Sequence, residues 1–470
     1  MNKTQIASIH QITEQKPVEN AESKRIFEDL SVPQAVKAMA LPAIFGQIIV
    51  LIYNMADTFF LGRTNDPFKV AGVSLILPIF NICLAFVGLT GIGGGALISR
   101  MLGIKREDEA KKISAFCFYL SILMTAVFSA SALIFMKPLL SLLGASENTF
   151  LYAQQYLFCV IVLGGIPTVL SNVLSNLLRS VGASKEAGIG ITLGGLLNIA
   201  LDPLFMFVLL PKGNEVLGVG IATLISNCIA CIYFFCVIYK IRDRSAISFR
   251  LREGLPERKS IASIFNVGVP SAISTLLFDI DYIVIDKLMT AYGDVALAAV
   301  GIVLKAERLP LNVGIGICQG MMPIVAYNYA AKNRERMNAV IRFSLKIGIA
   351  VSLISIVLYE IFAGGILRVF IADADTVLIG TGFLRVRCLA TPLMFMSFFT
   401  VHIFQGFGEG NKALFLGIMR WLAFNIPMLF LLEHLFGIYG IVWSQVSADI
   451  LTVLLSFIVY RRYMRTMEIK

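Results

Sequence analysis

Three stretches of this chain, Val70–Ser99, Leu151–Leu178 and Val216–Tyr239, contain no charged residue. Each exceeds the roughly 20 apolar residues that a helix needs to cross the hydrocarbon core of a bilayer. Only 15% of the 470 residues are charged and 57% are hydrophobic, whereas a globular chain carries about a quarter charged residues. Mean hydropathy is +0.80. The chain is therefore read as an all-α polytopic membrane protein, and disordered, fibrous and secreted-scaffold classes are excluded.

Twelve spans are read, over 33–62, 70–102, 111–136, 150–179, 186–210, 216–240, 261–289, 294–327, 335–362, 377–405, 412–433 and 438–461. Ser31 followed by Pro33 marks the start of the first, with proline in the first helical turn. Lysine and arginine are unevenly spread over the connections. Lys105, Arg106, Lys111, Lys112, Arg179, Lys185, Arg242, Arg244, Arg250, Arg252, Arg258, Lys259, Lys332, Arg334 and Arg336 fall on the side of the termini. The other side has Arg63, Lys69, Lys137, Lys212, Lys287 and Arg368. Positive loops stay inside, so both termini are expected in the cytoplasm and the protein in the inner (plasma) membrane. The same distribution accounts for the net charge of +10 without a nucleic-acid partner. The polar N-terminal tail has no signal-peptide core. All eight cysteines lie in apolar segments and read as small buried fillers. No zinc site is expected from Cys228 and Cys231 alone.

A basic linker over 241–260 separates an N-terminal six-span half, 33–240, from a C-terminal half, 261–461, with tails over 1–32 and 462–470. Six spans bring the chain back to the same side, so the halves are parallel repeats. At an offset of 228 residues Pro42 falls on Pro270, Ala71 on Ala299 and Arg106-Glu107 on Arg334-Glu335, while Gly182 matches Gly408 after the fourth span of each half.

A carboxylate at the centre of a bilayer costs about 2.5–3.5 kcal/mol or more, so intramembrane acids mark functional positions. Asp57 lies near the outer end of span one, with Asn54 one turn before it and Gln47 two turns further back. Asn198 and Asp202, four apart, share a face of span five and are followed by Pro203. At about 1.5 Å per residue, Asp57 sits roughly 8 Å and Asp202 roughly 12 Å from the outer helix ends, with Thr223 of span six and Tyr156 of span four at similar depth. Two neighbouring acids disfavour double ionisation, which suits proton binding; the same oxygens also suit Na⁺. The second half carries Asp279, Asp281, Asp286, Lys305, Glu307, Arg308, Arg385 and Arg387. Asp279 and Asp286 are expected on one face and Asp281 elsewhere. These charges read either as buried ion pairs or, for Asp279, Lys305 and Glu307, as lining of a substrate cavity along with Asn54 and Asn176. No H-E-x-x-H, Walker A or nucleophile-elbow motif occurs, so neither an enzyme nor an ATP-driven pump is expected, and no cofactor.

The run Pro42 … Tyr53-Asn54-Met55-Ala56-Asp57-Thr58-Phe59-Phe60-Leu61-Gly62 resembles the first span of the multidrug and toxic compound extrusion (MATE) family. Leu178-Arg179-Ser180-Val181-Gly182-Ala183-Ser184-Lys185 and Gly220-Ile221-Ala222-Thr223 are similar to further motifs of that family, in particular of its MepA-like bacterial branch. The resemblance covers all twelve spans. It implies two six-helix lobes around a central cavity and alternating-access export of mostly cationic, amphipathic drugs in exchange for H⁺ or Na⁺. It also implies that Asp57, Asn198, Asp202, Thr223 and Tyr156 form the cation site. Span ten, Met394-Phe395-Met396-Ser397-Phe398-Phe399-Thr400-Val401-His402, lacks the acid found in members with a second-lobe sodium site. Pro42 is the expected hinge, drugs and membrane lipids the expected partners, and a monomer the expected state. A flippase for lipid-linked sugars or cell-wall precursors is the alternative, and it requires a strongly cationic cavity.

Overall fold

A computed structural model describes residues 21–250 and 253–469, with the side chains of residues 21, 22, 243, 278, 279, 468 and 469 outside that description. Most of the 1–32 tail, Arg252 and the Asp279 side chain therefore lie outside the described residues. Twelve spans follow in order: α1 Val32–Gly62, α2 Pro67–Gly103, α3 Glu107–Ile134, α4 Glu147–Leu163 with Gly165–Ser180, α5 Ser184–Leu209 and α6 Glu215–Ile241. Then come α7 Arg258–Thr290, α8 Asp294–Ala330, α9 Arg334–Phe370, α10 Ala374–Cys388 with Thr391–Phe407, α11 Gly410–Phe436 and α12 Ile438–Met467. No strand occurs among the described residues.

Local chemistry sets the ends. Asp66 caps α2 by accepting from the Phe68 N–H at 3.0 Å, ahead of Pro67. Asn333 caps α9 through the Arg336 N–H at 3.1 Å, and Asp373 caps α10 through the Thr376 N–H at 2.9 Å; such caps satisfy donors the helix leaves unpaired. Ser31 precedes α1 as expected, but its hydroxyl donates to the Gln34 side chain at 2.9 Å and caps no backbone N–H. The fourth span of each half is bent, α4 by 50° at Gly164 and α10 by 45° near Leu389. The duplication seen in the sequence is thus repeated in shape.

The halves form two six-helix lobes that meet on one side. One hydrophobic core draws residues from both lobes, including Leu97, Leu177, Ile324 and Phe404. A second core, from Ile285 to Val442, belongs to the C-terminal lobe alone. Gln47 bonds Gln319 across the lobes, and Arg100 of α2 donates to Ser263 of α7 and to the Phe407 carbonyl of α10 nearer the terminal face. The lobes therefore converge near the chain termini, where Lys105 also meets Tyr327. Exposed Leu123, Val127, Ile134, Ile232, Ile361 and Phe457 present the apolar outer surface that a lipid environment requires.

Candidate cation-coupling site

The N-terminal lobe gathers its polar groups where α1, α4, α5 and α6 meet. Gly195 has no room for a side chain, since a Cβ there would lie 2.4 Å from Ile49 and 3.2 Å from Tyr53. That absence lets α1 approach α5 closely, and Ile49, Tyr53 and Asp57, spaced by four, share the face turned toward α5. The Asn198 amide donates to Thr223 Oγ1 at 3.2 Å and to Asp202 Oδ1 at 3.4 Å. The carboxyl groups of Asp57 and Asp202 meet closely enough for one to hydrogen-bond the other when protonated. Tyr156 is buried beside Asp57, Tyr53 and Asp202. Asp202 is 0% exposed.

Asp57 Oδ1, Asp202 Oδ2 and Asn198 Oδ1 are buried without hydrogen-bond partners. An unmatched buried polar atom costs about 1–3 kcal/mol, and more when charged. Three acceptors without donors, two of them on acids, make a site complementary to a small cation. No cluster of three or more His, Cys, Asp or Glu side chains suited to a resident metal occurs among the described residues.

The remaining expected positions separate. Asn54 does not join Asp57. It is exposed, its amide bonded to the Val50 carbonyl at 2.8 Å, because residue 54 lies on the face turned away from α5. Gln47 crosses to Gln319 of the other lobe at 3.1 Å. Asn176 borders the cleft between the lobes. Tyr53 was not singled out in the sequence, although its four-residue spacing from Asp57 signals the shared face. Pro42 lies inside α1, which runs through it unbroken; a Cβ on Gly188 of α5 would stand 2.6 Å from its carbonyl oxygen.

In the C-terminal lobe Lys305 is exposed, whereas Glu307 takes a two-pronged ion pair from Arg387, at 2.7 and 2.8 Å, with both side chains buried. Glu307 is thus neutralised in place. Arg420 pairs with Asp449 at 2.8 Å, and Gln445 donates to the second Asp449 oxygen at 2.6 Å. Asp281 is buried and accepts from Asn425, while Asp286 is exposed. Among the described acids of span seven, the buried one is therefore the one expected to point away. Arg420, Asn425 and Asp449 were not foreseen. Their signal was a charge or amide inside an apolar span.

The family model MatE matches residues 42–204 and again 270–431, the second match starting 228 residues after the first. This chain belongs to the MATE family. It is a membrane transporter whose two repeats are the family's two lobes. It is 30% identical over 436 residues to the multidrug export protein MepA of Staphylococcus haemolyticus, covering 92% of this chain and 94% of that protein. Among solved structures it resembles a MATE in complex with MaL6, with a TM-score of 0.90 at 23% identity, covering 96% of this chain and 99% of the other. It equally resembles an outward-facing multidrug resistance MATE transporter of the MOP superfamily, with a TM-score of 0.90 at 22% identity and coverages of 97% and 100%. The structural likenesses establish the MATE fold.

Proposed function

We propose that this MATE protein exports amphipathic, mostly cationic small molecules in exchange for H⁺ or Na⁺ by alternating access. The observation that carries the reading is the cluster of unpartnered oxygens on Asp57, Asp202 and Asn198, completed by Thr223 and Tyr156. Relatives named as multidrug export proteins support the substrate class. A cation entering the cluster cancels its charge and removes the penalty for drying it. The α1–α5 contact can then tighten, with α1 bending at Pro42, where proline weakens the helix ladder. The cavity narrows, the drug leaves toward the face opposite the termini, and the return step delivers the cation to the other side. One elementary charge crossing 100 mV supplies about 2.3 kcal/mol.

In this reading the terminal face is cytoplasmic, the membrane is the inner (plasma) membrane, and the chain acts as a monomer among lipids. The lobes span 33–240 and 261–461, joined by the linker 241–260. The flippase alternative loses support from the ion pairs, since Arg387 is matched by Glu307 and Arg385 lies 3.6 Å from Glu360. Ethidium movement in membrane vesicles under separately imposed proton and sodium gradients tests the proposal. One gradient must accelerate transport, and Asp57→Asn must abolish the acceleration while the protein remains in the membrane. Transport indifferent to both gradients, or undiminished in Asp57→Asn, refutes it.

A further inference from the structure

Before α1 the chain forms a short helical stretch, Ala21–Lys24 running into Arg25–Asp29, and Leu30 and Ser31 lead on to α1 in extended backbone. The C-terminal lobe grips this leading segment through buried groups. Phe27 is wholly buried, its ring 5.2 Å from that of Tyr327 in the last turn of α8. Arg336, in the first turn of α9, donates to the carbonyls of Phe27 at 2.6 Å, Leu30 at 2.7 Å and Ile26 at 3.2 Å. The Asn328 amide of α8 adds a bond to the Phe27 carbonyl at 3.2 Å. Ties to the N-terminal lobe are fewer. Ser23 Oγ donates to the Val181 carbonyl, between α4 and α5, at 2.5 Å, and Glu28 pairs with Lys105, between α2 and α3, at 3.0 Å.

The segment leading into the second repeat meets the same α2–α3 corner. Glu257, just before α7, pairs with Arg106, and Glu109 of α3 accepts from the Ser260 hydroxyl at 2.6 Å and the Glu257 N–H at 2.8 Å. Each leading segment is thus held at the matching corner of the opposite repeat, the corners where Arg106-Glu107 falls on Arg334-Glu335. The two corners differ in what parting costs. Arg106 and Glu257 are each about half exposed, and Lys105 is more than half exposed. Water takes up such charges once they separate, so exposed pairs hold weakly and salt screens them. Leaving α8 and α9 would instead strip Phe27 of its apolar surroundings.

We propose that the α2–α3 corner is a releasable catch on the terminal face. When the lobes part there, the segment before α1 stays on α8 and α9 and lets go of Lys105 and Val181, while Glu257 and Ser260 let go of Arg106 and Glu109. The proposal rests on the alternating-access reading and names the contacts that one of its steps must break. Leu30 and Ser31 alone join the held segment to α1, so a bend in α1 pulls directly on the catch.

A short, reducible bis-methanethiosulfonate linker joins either Glu28→Cys to Lys105→Cys or Leu30→Cys to Arg336→Cys in the full chain, and ethidium efflux from vesicles is followed before and after reduction. Because a gating motion limits turnover, the first link must slow efflux by about tenfold or more, reversibly, and the second must leave it within about twofold. Undiminished efflux with the first link in place, or efflux lost with the second, overturns the proposal. Should a reduced double variant stay inactive, a readout without transport decides. Val267 is buried where α2, α7 and α8 meet. Maleimide labelling of Val267→Cys, above that of the native cysteines, must be about threefold faster or more when Glu28→Gln and Arg106→Gln are added, the scale of two exposed ion pairs. An unchanged rate overturns the catch. Absence of gradient-driven efflux from the unaltered protein counts against the export reading, and the labelling rate then judges the catch by itself.

Discussion

At the scale of single residues, the two lobes handle buried charge in opposite ways. The N-terminal lobe keeps Asp57 and Asp202 face to face with no basic side chain paired to either among the described residues. The C-terminal lobe ties Glu307 to Arg387 and Asp449 to Arg420 within the protein. Removing one partner of a buried pair strands the other charge, at a cost of about 3–5 kcal/mol, whereas replacing both with apolar residues is close to neutral. Arg387→Ala should therefore lower thermal stability sharply in detergent, and Arg387→Met combined with Glu307→Leu should restore most of it. Equal loss in the single and double variants would show that the pair is not acting as a pair. The sequence revealed Asn198, Asp202 and Thr223 because spacing and depth are local properties. It did not reveal Arg420–Asp449 or Asp281–Asn425, since those partnerships depend on how separate spans rotate about their axes. Periodicity leaves that rotation undetermined in helices apolar on most faces.

At the scale of elements, contact between the lobes depends on close backbone approach and on a strap. A Cβ on Gly268 of α7 would lie 2.2 Å from the Leu89 carbonyl of α2. Gly268→Ala should thus push the lobes apart on the terminal face, and cysteine cross-linking between α2 and α7 should become slower; unchanged cross-linking would mean that the contact tolerates a methyl group. The strap is the short helical segment Ala21–Lys24 continuing into Arg25–Asp29. Phe27 is wholly buried, and Arg336 of α9 donates to the Phe27 carbonyl at 2.6 Å and the Leu30 carbonyl at 2.7 Å. Glu28 accepts from Tyr327 of one lobe and lies 3.0 Å from Lys105 of the other. Burial raises the Glu28 pKa, but the Tyr327 hydroxyl and Lys105 outweigh it and hold it below its ordinary 4.5. A lowered carboxyl pKa stabilises the folded form above the unfolded value, and that contribution disappears as pH falls through the folded one. Hydrogen exchange in residues 21–30 should stay slow from neutral pH down to about 4.5 and quicken below it. In Glu28→Gln it should be faster already at neutral pH. Identical exchange in the two proteins would remove Glu28 from the tie.

At the scale of the whole molecule, the duplication legible in a few matched residues is a pair of lobes bent at the same helix. Span number, order and the halving of the chain could be read from hydropathy and charge, because lipid imposes them on any sequence. The convergence of the lobes near the termini could not, because long-range contacts fix which ends of the helices meet. The duplication also reaches the polar clusters: Asn198 and Asn425 occupy the fifth span of their lobes, and Thr223 and Asp449 the sixth. On the proposed reading, arginines built into the second lobe stand where the first lobe takes a travelling cation.

Cation displacement by drug tests that reading most directly. Purified protein in weakly buffered detergent is given ethidium while released H⁺, or preloaded ²²Na⁺, is counted. The account predicts about one cation displaced per drug bound, because paired acids share roughly one positive charge, and none from the Asp57→Asn, Asp202→Asn double variant that still binds ethidium. The same displacement from the double variant would contradict it.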